Sequence, residues 1–172
     1  LVGGAVRDAV LGRVSKDLDF TVPSDAIKTA FKVGDLLKAP AYALDKERDI
    51  GRVVLADEGT SLDFACFRGE SLENDLYDRD FTINAMALPA AARTSASLVD
   101  PFDGQLDLQN RIVRRVHQHS LADDPIRGLR AVRMGVRFGF ALEEGTALDV
   151  LPAVAKLPTT SAERARDEWV NL

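Results

Sequence analysis

A chain of 172 residues with 46% hydrophobic and 28% charged residues can bury one domain plus a small appendage, but not two large domains, and no apolar run reaches the roughly 18 residues of a membrane span. The net charge of −5 argues against strong nonspecific nucleic-acid binding by this piece alone, although Arg111, Arg114, Arg115, Arg127, Arg130, Arg133 and Arg137 cluster with only Asp123 and Asp124 among them. Cys66 is the only cysteine, which excludes an intrachain disulfide framework and a Cys-rich zinc site and suits a reducing, cytoplasmic setting.

The chain opens on Leu1-Val2-Gly3-Gly4 with neither a methionine nor a signal-peptide pattern, and reads as a fragment. Val2 ends a predicted strand, the glycines turn, and a short helix follows from Ala5 to about Leu11. Leu18 to Val22 alternates as a strand. Ser24-Asp25 is expected to cap an amphipathic helix whose apolar stripe is Ile27, Ala30, Phe31 and Leu37. Three short apolar runs, 42–44, 53–56 and 62–67, suggest antiparallel pairing. Asp80 is placed to cap a helix running to about Leu88, and 90–97 reads as a small-residue loop. Leu98-Val99 and 112–116 read as brief strands around a Pro101-Phe102-Asp103-Gly104 turn. From Asp124 the pattern becomes helical, with Pro125 at a first helical position and Gly139 at a stop. Further helical stretches cover 143–157 and 161–172.

Two residues apart on a strand, Asp17 and Asp19 share a face while Leu18 and Phe20 point into a core. Such close carboxylates repel unless a cation lies between them, and hard oxygen ligands with open positions suit Mg²⁺; a solvated strand edge is the plain alternative. Just before them, a Gly3-Gly4 turn opening a helix lets backbone N–H groups approach a phosphate, with Arg7 as a bidentate donor. Asp63, on a neighbouring predicted strand and facing opposite to Leu62 and Phe64, is a candidate third carboxylate or a strand-face acid in water. Asp124 and Arg127 lie three apart at a helix start, where a carboxylate and a guanidinium can read a base or form a cap and a salt bridge. Arg127, Arg130, Arg133 and Arg137 make a stripe with no Glu among them, beside an apolar stripe of Leu129, Val132 and Val136. His117 and His119 are read as surface or packing residues, and Trp169 as helix packing.

The chain resembles the tRNA nucleotidyltransferase and poly(A) polymerase family. The resemblance is carried by Leu1 to Asp8, Leu11-Gly12-Arg13, Asp17-Leu18-Asp19-Phe20, Arg79 to Ala87, Asp100 to Gly104, Asp124 to Arg127 and Leu129 to Arg133. It implies an α+β, polymerase-β-like nucleotidyltransferase head at 1–119, with a mixed, largely antiparallel sheet and flanking helices, and a truncated, all-helical neck at 120–172. It also implies a template-independent enzyme that adds C and/or A from CTP or ATP to the 3′ end of tRNA and releases pyrophosphate by a two-metal mechanism. A poly(A) polymerase, or a catalytically silent nucleotide- or RNA-binding module, is the alternative.

By the same resemblance, Asp17 and Asp19 match the metal ligands, holding two Mg²⁺ ions, and form the catalytic pair; a third carboxylate is common in the superfamily, and Asp63 is the candidate for it, the strand-face acid in water being the alternative. Gly4 and Arg7 match phosphate-contacting positions, and Gly3 joins them as a nucleotide-binding candidate through the turn. Arg79, Asp80 and Asn84 fall in the ribose- and triphosphate-contacting region, Asp124 and Arg127 match the base-selecting pair, and Arg130 and Arg133 continue the nucleotide-binding stripe. The family usually has two arginines before the acid at position 80; here the first is Asp78. The RNA is expected to be held mainly by segments outside this chain.

Overall fold

The computed structural model describes residues 1–56, 59–92 and 94–170. They fall into two compact units: Leu1–Leu76 with Met86–Val99, and Tyr77–Ala85 with Asp100–Leu172. The units are discontinuous in sequence, so 77–85 and 100–119 pack with the helices of the second unit, where a contiguous reading of the chain would cut at 119/120.

In the first unit, α1 (Gly4–Val10) leads into β1 (Asp17–Val22), α2 (Ala26–Leu37) crosses over, and β2 (Ala41–Asp45), β3 (Ile50–Leu55) and β4 (Thr60–Cys66) form a meander that ends near α3 (Leu72–Tyr77). The sheet order is β1-β4-β3-β2; β1 and β4 run parallel and the other two pairs antiparallel, a mixed and largely antiparallel sheet as expected. α2 covers one face, where Ala26, Ala30, Val53, Leu62 and Phe64 form the buried core with Leu18, Phe20 and Val22 against it.

The predicted stripe of α2 is corrected. Ala26, Ala30 and Gly34 are its buried residues, whereas Phe31 and Leu37 are exposed. Small residues win because helix and sheet approach closely: a Cβ on Gly34 would lie 2.8 Å from the Ala41 Cβ, and one on Gly51 2.6 Å from the Ala30 Cβ. The cap is corrected too. Asp25 is left-handed and makes no side-chain cap bond, and the carboxylate of Asp49 instead accepts from the N–H groups of Ala26 (2.9 Å) and Ile27 (3.0 Å).

In the second unit, the helix expected from Asp80 to Leu88 is only a single 3-10 turn, Thr82–Asn84. The Asp80 carboxylate caps Phe81 N–H and binds the Asn84 amide, and beyond Ala85 the chain returns to the first unit, where Ala87 bridges Val2 and Val99 in extended form. The Pro101-Gly104 turn continues into a helix the sequence reading lacked, α4 (Gly104–Asn110), whose first N–H groups are accepted by Asp100. β5 (Ile112–Val113) pairs in parallel with β6 (Ala141–Leu142). Around them pack α5 (Ser120–Asp123), α6 (Ile126–Phe138), α7 (Glu144–Val154) and α8 (Ala162–Val170). Gly139 ends α6 at φ 67°, as a stop requires. The inward face of α6 includes Ile126, Gly128, Leu129, Ala131 and Met134, while Val136, expected in the apolar stripe, is exposed. Residues 171 and 172 of the last predicted helix, and Arg93 in the small-residue loop, lie outside the described residues.

Candidate functional site

The sheet face opposite α2 in the first unit is polar. Strand alternation leaves Asp17 and Asp19 exposed while Leu18 and Phe20 pack inward. In register beside them, β4 places Ser61 next to Asp17 and Asp63 next to Asp19; β3 then places Arg52 opposite Asp63, and β2 places Tyr42 opposite Arg52. Ser61 Oγ donates to Asp17 Oδ1 at 2.8 Å. Arg52 grips Asp63 through Nε–Oδ1 and Nη2–Oδ2 bonds of 2.6 Å each, and this carboxylate raises the guanidinium's already high basicity. Among the described residues, no three His, Cys, Asp or Glu side chains converge to hold a metal. The face does offer two exposed carboxylates on one strand. That donor set fits Mg²⁺, which uses one or two carboxylates and completes its octahedron with water and substrate phosphates.

Gly3 leads into α1 with φ 70° and ψ −140°, a conformation that favours glycine. A Cβ on Gly4 would lie 3.3 Å from Arg7 Nη2. Arg7 itself is buried, with Nε and Nη2 bonded to Asp8 Oδ1 at 2.9 and 2.8 Å.

The second unit gathers the remaining expected residues on and around α6. Arg127 is buried; its Nη2 donates to the carbonyl of Asp78 at 2.7 Å, and its Nη1 donates to Ser120 Oγ at 2.9 Å and to the carbonyls of Ser120 and Arg79 at 3.3 and 3.4 Å. Asp124 turns elsewhere, accepting from Arg164 of α8 at 2.7 Å, so the two side chains at the helix start each bond to other groups.

The arginine stripe has its compensating acid after all. Glu168 of α8 accepts from Arg130 Nε at 2.9 Å and Arg133 Nε at 2.6 Å, and Arg130 Nη1 reaches Asp80 Oδ2 at 3.2 Å. Burial acts to raise the Asp80 pKa, but Arg130, the Asn84 amide and the Phe81 N–H outweigh it and hold the pKa below the ordinary value. Arg79 lies alongside, its carbonyl also within 3.5 Å of Ser120 Oγ.

Arg52 and Glu168 are the site neighbours that sequence reasoning missed. Alternation along β3 puts Arg52 on the polar face, a signal present in the sequence; Glu168 gave none, because its partners lie 35 and 38 residues away. His117 stacks on Tyr77 with ring centroids 4.5 Å apart, whereas Trp169, expected to pack, is 67% exposed because α8 turns Glu168 inward beside it.

The fold is that of solved tRNA-processing and CCA-adding enzymes. A CCA-adding enzyme in complex with CTP superposes with a TM-score of 0.89 at 36% identity, over 99% of this chain and 42% of that one. A Thermotoga maritima CCA-adding enzyme complexed with tRNA gives a TM-score of 0.85 at 36% identity, over 99% of this chain and 41% of that one. The chain belongs to the poly A polymerase head domain family, which matches residues 1–114. It is 44% identical over 171 residues to a CC-adding tRNA nucleotidyltransferase of Synechocystis sp., covering 98% of this chain and 40% of that protein. It is 40% identical over 173 residues to an A-adding tRNA nucleotidyltransferase of Deinococcus radiodurans, covering 98% of this chain and 38% of that protein.

Proposed function

We propose that this chain is the nucleotide-handling part of an RNA nucleotidyltransferase that adds C and/or A from CTP or ATP to the 3′ end of tRNA. The observation that carries the reading is the exposed Asp17 and Asp19 pair on the polar sheet face, one short helix after a Gly3-Gly4 turn. Asp17 and Asp19 would hold Mg²⁺, which when bound supplies charge neutralisation of the triphosphate and a more acidic attacking hydroxyl. The RNA 3′-hydroxyl oxygen bonds to the α-phosphorus as the α–β bridging P–O bond breaks; the hydroxyl proton passes to solvent water and pyrophosphate leaves. Gly3, Gly4 and Arg7 are assigned to the phosphates, and Arg79, Asp80, Asn84, Arg130 and Arg133 to holding or bracing the nucleotide. Asp124 and Arg127 are assigned to the base. A guanidinium already fixed on the carbonyls of Asp78, Arg79 and Ser120 gives up little freedom when it binds a ligand. A lone Cys66 thiol suits the cytoplasm, where tRNA matures.

The test uses the full-length parent protein, tRNA lacking its terminal nucleotides, and each triphosphate in turn. Incorporation of C, A or both, with pyrophosphate release, is expected, and Asp19→Asn should lower it by about a hundred- to a thousand-fold with the fold intact. Triphosphate binding without turnover by the wild-type protein would favour the silent module instead. Arg127→Ala should lose discrimination among the four nucleotides; an equal loss for all four would make Arg127 a brace alone.

A further inference from the structure

We infer that Arg52 is a positioning residue for the transfer reaction, acting through Asp63, an inference that rests on the reading of Asp17 and Asp19 as the Mg²⁺-holding pair. Asp19, Asp63 and Arg52 occupy one register row across β1, β4 and β3, on the sheet face away from α2. Neighbouring strands lie about 4.8 Å apart, so the carboxylates of Asp19 and Asp63 are close enough to repel and to diverge. Arg52 opposes both tendencies. Its two parallel bonds of 2.6 Å fix the plane of the Asp63 carboxylate, and its charge offsets the second negative charge in the row.

The fork engages each Asp63 oxygen once. A carboxylate oxygen can accept twice, so the grip leaves acceptor capacity on both atoms for the attacking hydroxyl. The pair is neither fully buried nor freely solvated, with side-chain exposures of 32% for Arg52 and 23% for Asp63. An acid in that position is usable by substrate, and the fork limits how far it can swing. Lysine would supply the charge without the two parallel bonds.

The experiment takes the full-length enzyme with Arg52→Met, Arg52→Lys, Asp63→Asn, the Met/Asn double variant and Asp19→Asn. It measures single-turnover incorporation from whichever of CTP or ATP the wild type uses, the affinity for that nucleotide, and Mn²⁺ binding to the nucleotide-free protein. Arg52→Met should slow incorporation about 10- to 100-fold with nucleotide affinity within about twofold, the cost of a slightly misplaced group. Its Mn²⁺ affinity should rise about two- to tenfold, since an uncompensated carboxylate then faces the ion. Arg52→Lys should recover part of the rate and keep wild-type Mn²⁺ affinity; should the Met variant not fold, this variant alone decides, by a slowed rate at unchanged nucleotide affinity. The double variant should be no slower than Asp63→Asn, because Arg52 acts through that side chain. Wild-type rates in both Arg52 variants, or additive losses in the double variant, overturn the role of Arg52 while an inactive Asp19→Asn leaves the site reading standing. An active Asp19→Asn overturns that reading, and this inference with it.

Discussion

The two charged regions of this chain use their charges in opposite ways. On the sheet face of the first unit, Asp17 and Asp19 are displayed because alternation along a strand leaves them no other direction while Leu18 and Phe20 are held by the core. In the second unit, Arg127, Arg130 and Arg133 are drawn into carbonyl and carboxylate partners contributed by Asp78, Asp80, Ser120 and Glu168. A short acid on a strand stays where its backbone points. A long arginine on a helix can reach partners far away in sequence, so a basic stripe alone does not tell whether its charge faces a ligand or the fold.

That contrast can be broken most directly at Arg127. Arg127→Ala leaves the carbonyls of Asp78, Arg79 and Ser120 without their buried donor and should cost about 3 kcal/mol of stability in guanidinium denaturation of this chain. A cost below about 1 kcal/mol would mean the guanidinium is not bracing the unit. Next in size, Glu168→Ala strips Arg130 and Arg133 of a shared partner and should cost about 2 kcal/mol, discounted for the partial exposure of Arg130. If urea unfolding shows no change, the arginine cluster is solvated and the two regions differ less than the bonds suggest.

A smaller, pH-dependent effect belongs to His117. Burial disfavours its imidazolium, and Asp123, 4.0 Å from Nε2, and Asp78 offset this only in part against Arg127 and His119, so its pKa lies below the ordinary value. The unfolded chain therefore takes up this proton first. The stability due to His117 is present above about pH 6.5 and is lost as pH falls through the lower folded value. The fall in Tm between pH 7.5 and 5.5 should be shallower in His117→Phe, which keeps a ring against Tyr77; an unchanged slope would assign the acid sensitivity to other groups. Least of all, Trp169→Ala should shift stability by no more than about 0.5 kcal/mol, its ring being largely exposed. A larger loss would show that the indole anchors α8 together with Glu168 and Arg164.

Local rules were legible in the sequence wherever neighbours in the chain decide the outcome. Alternation placed β1 and its acids, Gly139 closed α6, and the short apolar runs gave the antiparallel pairing of β2, β3 and β4, while the mixed sheet with flanking helices came with the family resemblance. Choices that depend on distant partners were not legible. Asp25 looks like a cap for α2, but Asp49 reaches the same N–H groups from the turn before β3. Asp80 looks like the start of a helix, but its carboxylate is occupied by Phe81, Asn84 and Arg130, and only one 3-10 turn forms.

What this sequence determined by itself is the family signature and the direction of its strand carboxylates, because covalent geometry and side-chain period act over two to four residues. What only the tertiary structure decided is which charges are committed to one another. Arg52 meets Asp63 because β3 and β4 pair in one register, and Glu168 meets Arg130 and Arg133 because α8 packs on α6. Those pairings depend on how separate elements align in space, and an ion pair between them forms only once that alignment brings the charges within bonding distance.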